Sequence, residues 1–139
     1  MLFRSGGTLP NYHQSDVMDA AERLARQGLN PRLMVDCSHG NSQKLHQSQL
    51  RVAGELCRQL RGGSNTIAAV MVESFLQGGS QKPAPLSELQ YGLSVTDACL
   101  GWEESETLLA MLADGVMARR QFAHSRSIPL RNDLGQPVS

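Results

Sequence analysis

Two short, largely apolar runs, Arg32-Leu33-Met34-Val35-Asp36-Cys37 and Ile67-Ala68-Ala69-Val70-Met71-Val72, flank a stretch of helical periodicity, and no other feature narrows the fold as far. Runs of this length and apolarity suit strands buried on both faces, and strands joined through a helix pair in parallel. The intervening stretch predicts a helix over Gln43–Leu60, with Val52, Ala53, Leu56, Cys57 and Leu60 on one face and Gly62-Gly63 as its stop.

The same alternation extends outward. Gly6-Gly7 and Pro10-Asn11 signal turns, and Ser15 or Asp16 can cap a helix through Val17, Ala20, Ala21, Leu24 and Ala25 that Gly28 and Pro31 end. Beyond a Gly, Ser and Pro-rich loop (Gly78 to Pro85), Leu93–Asp97 reads as a weaker third strand. Gly101-Trp102 then lead into a helix from Glu103 to Arg120, with Leu108, Leu109, Leu112 and Val116 inward. Strands alternating with helices call for a parallel α/β sheet. Residues 1–120 are expected to form one domain, and the polar residues 121–139, with two prolines, a poorly ordered tail.

Charge and cysteine content exclude several classes of function. Thirteen basic and thirteen acidic residues cancel, leaving no field of one sign to recruit nucleic acid or an anionic membrane. No apolar run approaches the roughly 20 residues of a membrane span, and MLFRSGGTLPNY lacks a signal peptide's apolar stretch, so a cytoplasmic protein is expected. Cys37, Cys57 and Cys99 form no CxxC pair and predict neither a disulfide framework nor a zinc knuckle, but reduced, mostly buried thiols.

Each strand ends in a residue able to bind metal: His39 after the first, Glu73 at the end of the second, Asp97 at the end of the third. They lie 34 and 24 residues apart, and a β/α barrel averages roughly 31 residues per unit. Ligands about one unit apart would converge where barrel active sites lie. Any one of them could instead cap or order a loop; three at the same face favour function. One imidazole and two carboxylates suit Mn²⁺, Fe²⁺, Co²⁺ or Zn²⁺. Lys44 could meet a phosphate at a helix N-terminus, although a solvated lysine is the plainer account. Trp102 reads as a packing anchor, and His13, His46 and His124 as surface residues.

The surroundings of these residues carry a family resemblance. The runs Pro31 to Lys44 (PRLMVDCSHGNSQK), Val70 to Ser74 (VMVES) and Tyr91 to Glu103 (YGLSVTDACLGWE), with Gly6 to Tyr12, closely resemble class I 3-deoxy-D-arabino-heptulosonate 7-phosphate synthases. The resemblance runs from about Leu2 to Arg120 and implies the last three βα units of a (β/α)8 TIM barrel. It implies a metal-dependent, aldol-like condensation of phosphoenolpyruvate with erythrose 4-phosphate, the first step of the shikimate pathway. His39, Glu73 and Asp97 fall on the family's metal ligands, and Asp97 would also hold the incoming sugar phosphate.

The family's fourth ligand, a Cys of an early strand, has no match here, and most of its phosphoenolpyruvate-binding Arg and Lys residues belong to earlier strands. Its phosphate-binding Arg before the glycine pair is replaced by Ser5, with Arg4 one residue earlier and so facing the other way on a regular strand. Phe75 stands where a polar residue is common. Three βα units cannot close a barrel. The chain is therefore expected to be a portion of such a synthase, complemented by an N-terminal half, or else a non-catalytic metal- or partner-binding module, or a piece that self-associates as a homo-oligomer.

Overall fold

The computed structural model describes residues 1–5 and 9–127; the Gly6-Gly7 turn and the last part of the expected tail lie outside them. The elements run β1 (Leu2–Phe3), α1 (Gln14–Arg26), β2 (Leu33–Asp36), α2 (His39–Ser42), α3 (Ser48–Arg61), β3 (Ile67–Met71), a 3₁₀ turn (Leu86–Glu88) and α4 (Trp102–Ser127). The strands form one parallel sheet in the order β1-β2-β3. Leu2 pairs with Met34 and Phe3 with Val35. Asp36 pairs with Met71, after a bulge that sets Ala69 rather than Ala68 opposite Met34.

Alternation along the strands separates two faces. Leu33, Val35 and Cys37 are fully buried and join Val17 of α1, Val52, Ala53, Leu56 and Leu60 of α3, and Leu108 of α4 in one core. Phe3, Val70 and Val72 pack against the same core. On the opposite face Leu2 and Met34 remain 46% and 39% exposed. Helices on one face of a parallel sheet, the arrangement that the alternation of strands and helices predicts, with apolar residues left open on the other, give an open segment of a β/α barrel, as the family resemblance implies. At Gly115 a Cβ would stand 3.3 Å from the Cα of Cys57, so glycine lets α3 and α4 approach closely. No described helix is long and apolar enough to cross a membrane.

The structure corrects the sequence reading in several places. Leu93–Asp97 is not a strand. Chain pairing with the end of β3 comes later, where Ser74 bridges Leu100 in parallel, Leu100 N–H donates to Glu73 O (2.9 Å) and Phe75 N–H to Leu100 O (2.8 Å). The backbone of the preceding loop is instead tied by glutamines: Gln81 Nε2 donates to the carbonyls of Gln90 (2.8 Å) and Leu93 (2.9 Å), and Gln77 Nε2 to that of Tyr91 (2.7 Å).

The helix expected over Gln43–Leu60 is broken. Gln43 and Lys44 adopt φ of 54° and 62°, which no right-handed helix tolerates, and α3 starts at Ser48. α1 is capped at His13, whose N–H donates to Asp16 Oδ2 (3.2 Å), so Asp16 sits inside the first turn. Residues 121–127, assigned to the tail, continue α4. Leu109 is 64% and Trp102 61% exposed, so neither anchors the core.

Candidate metal centre

The parallel strands bring their C-terminal ends to one edge, and a cleft of about 180 Å³ opens there, lined by His39, Glu73 and Asp97. One ligand atom from each of the three lies within 4.8 Å of the other two. Donors around one ion with bonds near 2.1 Å stand about 3–4 Å apart, so closing the widest pair by about 1–2 Å would bring all three donors onto one ion. The donor set and its spacing fit a divalent ion.

His39 opens α2 with φ of 50°, a left-handed conformation that costs a non-glycine residue about 1 kcal/mol or more. Buried side chains hold it there. Asp36, fully buried at the end of β2, places Oδ2 2.9 Å from His39 Nδ1, and His39 Nε2 faces Glu73 Oε1 at 3.4 Å. Asn41 Nδ2 donates to Asp36 O (2.8 Å), while Asn41 Oδ1 accepts from Asn11 N–H (2.7 Å) and draws the segment before α1 onto the site.

Glu73 lies two residues beyond β3, and its backbone is clamped from α3. Gln49, 1% exposed, accepts from Glu73 N–H through Oε1 (2.9 Å) and donates through Nε2 to Glu73 O (3.0 Å). Burial lifts the Glu73 carboxyl above the ordinary value; Asp97 and Asp36 push the same way, and His39 and Arg4 oppose them. A carboxylate held at such a cost is one that a cation relieves. Asp97 is exposed and lies in the bend before Cys99–Leu100 rather than at a strand end. Its position follows from that of Cys99, which exchanges backbone hydrogen bonds with Gly79 (2.8 and 3.0 Å).

Arg4 and Lys44 also line the cleft. Strand alternation does not decide which way Arg4 faces, because β1 ends at Phe3 and both Arg4 and Ser5 reach the cleft wall. Ser5 is packed so closely that a Cβ on Gly40 would meet its Cβ at 2.8 Å, and its Oγ donates to Leu9 O (2.6 Å). His46, read as a surface residue, lines the cleft as well; the break in the helix carries it there, and periodicity gave no sign of that break. Phe75 is not on this wall but borders a separate apolar depression with Leu76, Trp102 and Leu109. Among the described residues no thiol joins the metal-ligand group, and burial pushes the Cys37 thiol up to about 12.

Known proteins share this arrangement of sequence and fold. The model of the DAHP synthetase I family matches residues 2–110. The Trp-sensitive phospho-2-dehydro-3-deoxyheptonate aldolase of Enterobacter agglomerans is 51% identical over 114 residues, 82% of this chain and 33% of that protein. Its namesake in Escherichia coli strain K12 is 48% identical over 118 residues, 85% of this chain and 34% of that protein. The solved phospho-2-dehydro-3-deoxyheptonate aldolase of Francisella tularensis SCHU S4 superposes with a TM-score of 0.80 at 42% identity, covering 86% of this chain and 34% of that one. The chain thus spans about a third of the length of the relatives it matches.

Proposed function

The chain belongs to the DAHP synthetase I family, and from that premise we propose that it supplies most of the metal centre of a 3-deoxy-D-arabino-heptulosonate 7-phosphate synthase. The observation that carries this reading is the convergence of His39, Glu73 and Asp97 within 4.8 Å at the C-terminal edge of a parallel sheet. A divalent ion there, Mn²⁺, Fe²⁺, Co²⁺ or Zn²⁺, supplies Lewis acidity to an aldehyde oxygen.

In the reaction proposed, C3 of phosphoenolpyruvate bonds to the aldehyde carbon of erythrose 4-phosphate, water adds at C2, and phosphate leaves. His39 Nε2 and the Glu73 carboxylate would hold the ion. Asp97, on the loop, would be its third ligand and would also hold the incoming sugar phosphate. Arg4 and Lys44 stand on the same wall as cations able to meet a substrate phosphate or carboxylate. The remaining anion contacts and a fourth ligand belong to elements matching the other two thirds of the relatives.

That shortfall favours a second reading, a catalytically incomplete module that binds metal or a partner. Its support is the sheet face that no described helix covers, where Leu2 and Met34 stay exposed; an N-terminal half or a second copy of the chain would cover it. One experiment separates the two readings. Phosphate release from phosphoenolpyruvate, erythrose 4-phosphate and Mn²⁺ is measured with the chain alone and with an N-terminal half supplied in trans. Activity only in the mixture is expected. Mn²⁺ binding unchanged in His39→Ala, Glu73→Ala and Asp97→Ala would remove the metal centre from both readings.

A further inference from the structure

Asp36 is 0% exposed, and its carboxylate is divided between two tasks. Oδ1 accepts from Ser38 N–H (2.8 Å) and Ser38 Oγ (2.6 Å), while Oδ2 lies 2.9 Å from His39 Nδ1. A buried carboxylate persists only where its lone pairs are met, but Ser38 alone would satisfy a turn. The contact of Oδ2 with the ring needs a separate explanation.

We infer that Asp36 is a positioning residue that fixes the His39 tautomer so that Nε2 presents its lone pair to the cleft. This rests on the metal-centre reading. A carboxylate can only accept, so Nδ1 must carry the hydrogen at that contact. A neutral imidazole has one ring hydrogen, and with Nδ1 holding it, Nε2 is left bare. Ser38 Oγ also lies 2.8 Å from Nδ1 but has spent its hydrogen on Oδ1, so it cannot donate to the ring and reverse the assignment. On the far side of the ring, the Glu73 carboxylate could likewise only accept from Nε2, but at 3.4 Å against 2.9 Å to Asp36 it is the weaker claimant. The single hydrogen of a neutral ring therefore stays at Nδ1, and the Nε2 lone pair would be free for an ion shared with Glu73. Carboxylates behind metal-binding imidazoles set both ring angle and basicity in this way.

The test is ¹⁵N NMR of the whole chain with labelled histidine, at a pH where the ring is neutral, with His39 assigned through His39→Gln. The unsubstituted chain is expected to show a protonated Nδ1 and a bare Nε2. Asp36→Asn is expected to show the reverse, because the two Ser38 donors keep the carboxamide oxygen at the Oδ1 position and turn Nδ2 toward the ring. Mn²⁺ affinity should then fall about 10–100-fold with far-UV circular dichroism unchanged.

A His39 protonated at Nε2 in the unsubstituted chain overturns the inference, and that measurement needs no variant to fold. Asp36→Asn with an unchanged tautomer and unchanged Mn²⁺ affinity overturns it too. Failure of the metal-centre reading is distinguishable: Mn²⁺ affinity would ignore His39→Ala, Glu73→Ala and Asp97→Ala, while the tautomer in the unsubstituted chain would still decide the role of Asp36.

Discussion

Replacing Gln49 by leucine tests how the centre is built. The two side chains are close in volume, so the core around residue 49 stays filled, but both hydrogen bonds to Glu73 are lost. The losses are unequal. Glu73 O keeps the N–H of Leu100 at 2.9 Å, whereas Glu73 N–H loses Gln49 Oε1. An orphaned buried amide costs about 1–3 kcal/mol and a part-buried one, as at Glu73, the lower part of that range, so Gln49→Leu should lower stability by about 1–2 kcal/mol, and at roughly 4 °C per kcal/mol for a chain of this size lower Tm by about 4–8 °C. Glu73 would also lose its fixed position, weakening Mn²⁺ by about tenfold.

Urea denaturation and Mn²⁺ titration read the two effects, with exposed Gln47→Leu as the control expected to stay within about 0.5 kcal/mol of wild type. A Gln49→Leu chain as stable as that control, with unaltered Mn²⁺ affinity, would refute the reasoning and leave the bridge from Ser74 to Leu100 as what holds Glu73.

Four further outcomes are expected. With burial holding the Glu73 carboxyl above its ordinary value, protons should compete with Mn²⁺ at a higher pH than for a free carboxylate. Calorimetric titration at falling pH would show this. The sign for stability is opposite: a raised carboxyl favours the fold at low pH and loses that favour as pH rises through its folded value, so metal-free Glu73→Gln should gain stability at neutral but not at acid pH. Cys37, with its thiol pushed up to about 12, should resist alkylation until the chain unfolds, while half-buried Cys99 reacts first, as mass spectrometry of timed labelling would reveal. Gly40→Ala should cost about 1–3 kcal/mol by overpacking, because its Cβ would meet Ser5; thermal melts should show Ser5→Gly recovering part of that loss.

What could be read from the sequence was whatever burial dictates. Leu33, Val35 and Ile67 are apolar because helices cover one sheet face, and Val52, Ala53, Leu56 and Leu60 recur as they do because α3 supplies that cover. His39 and Glu73 were legible because strand ends are fixed by the same pattern. β1 was not, since two residues carry no periodicity. The break before α3 escaped notice because Gln43 and Lys44 are ordinary helix formers, and tertiary context turned them left-handed. Trp102 and Leu109 look like core residues but border an open depression instead; apolar spacing shows which residues share a helix face, not whether anything covers that face.

Asp97 shows most clearly where pattern and structure part. Its residue type and order along the chain suited a ligand, yet the strand assigned to it is absent, and the chain between Ser74 and Cys99 is held by a few isolated backbone bridges, at Gly79–Cys99 and Ser80–Ser94, and by glutamine side chains bonding to carbonyls. The centre therefore has two kinds of support. Behind His39 stands Asp36 and behind Glu73 stands Gln49, both essentially inaccessible to solvent. Asp97 is exposed and depends on an irregular loop. In the metal centre proposed, two ligands would thus be held from behind by buried side chains, whereas the third would depend on the loop that carries it. Changes at Gln77 or Gln81 should accordingly act on the ion through Asp97 alone, leaving the tautomer of His39 and the placement of Glu73 untouched.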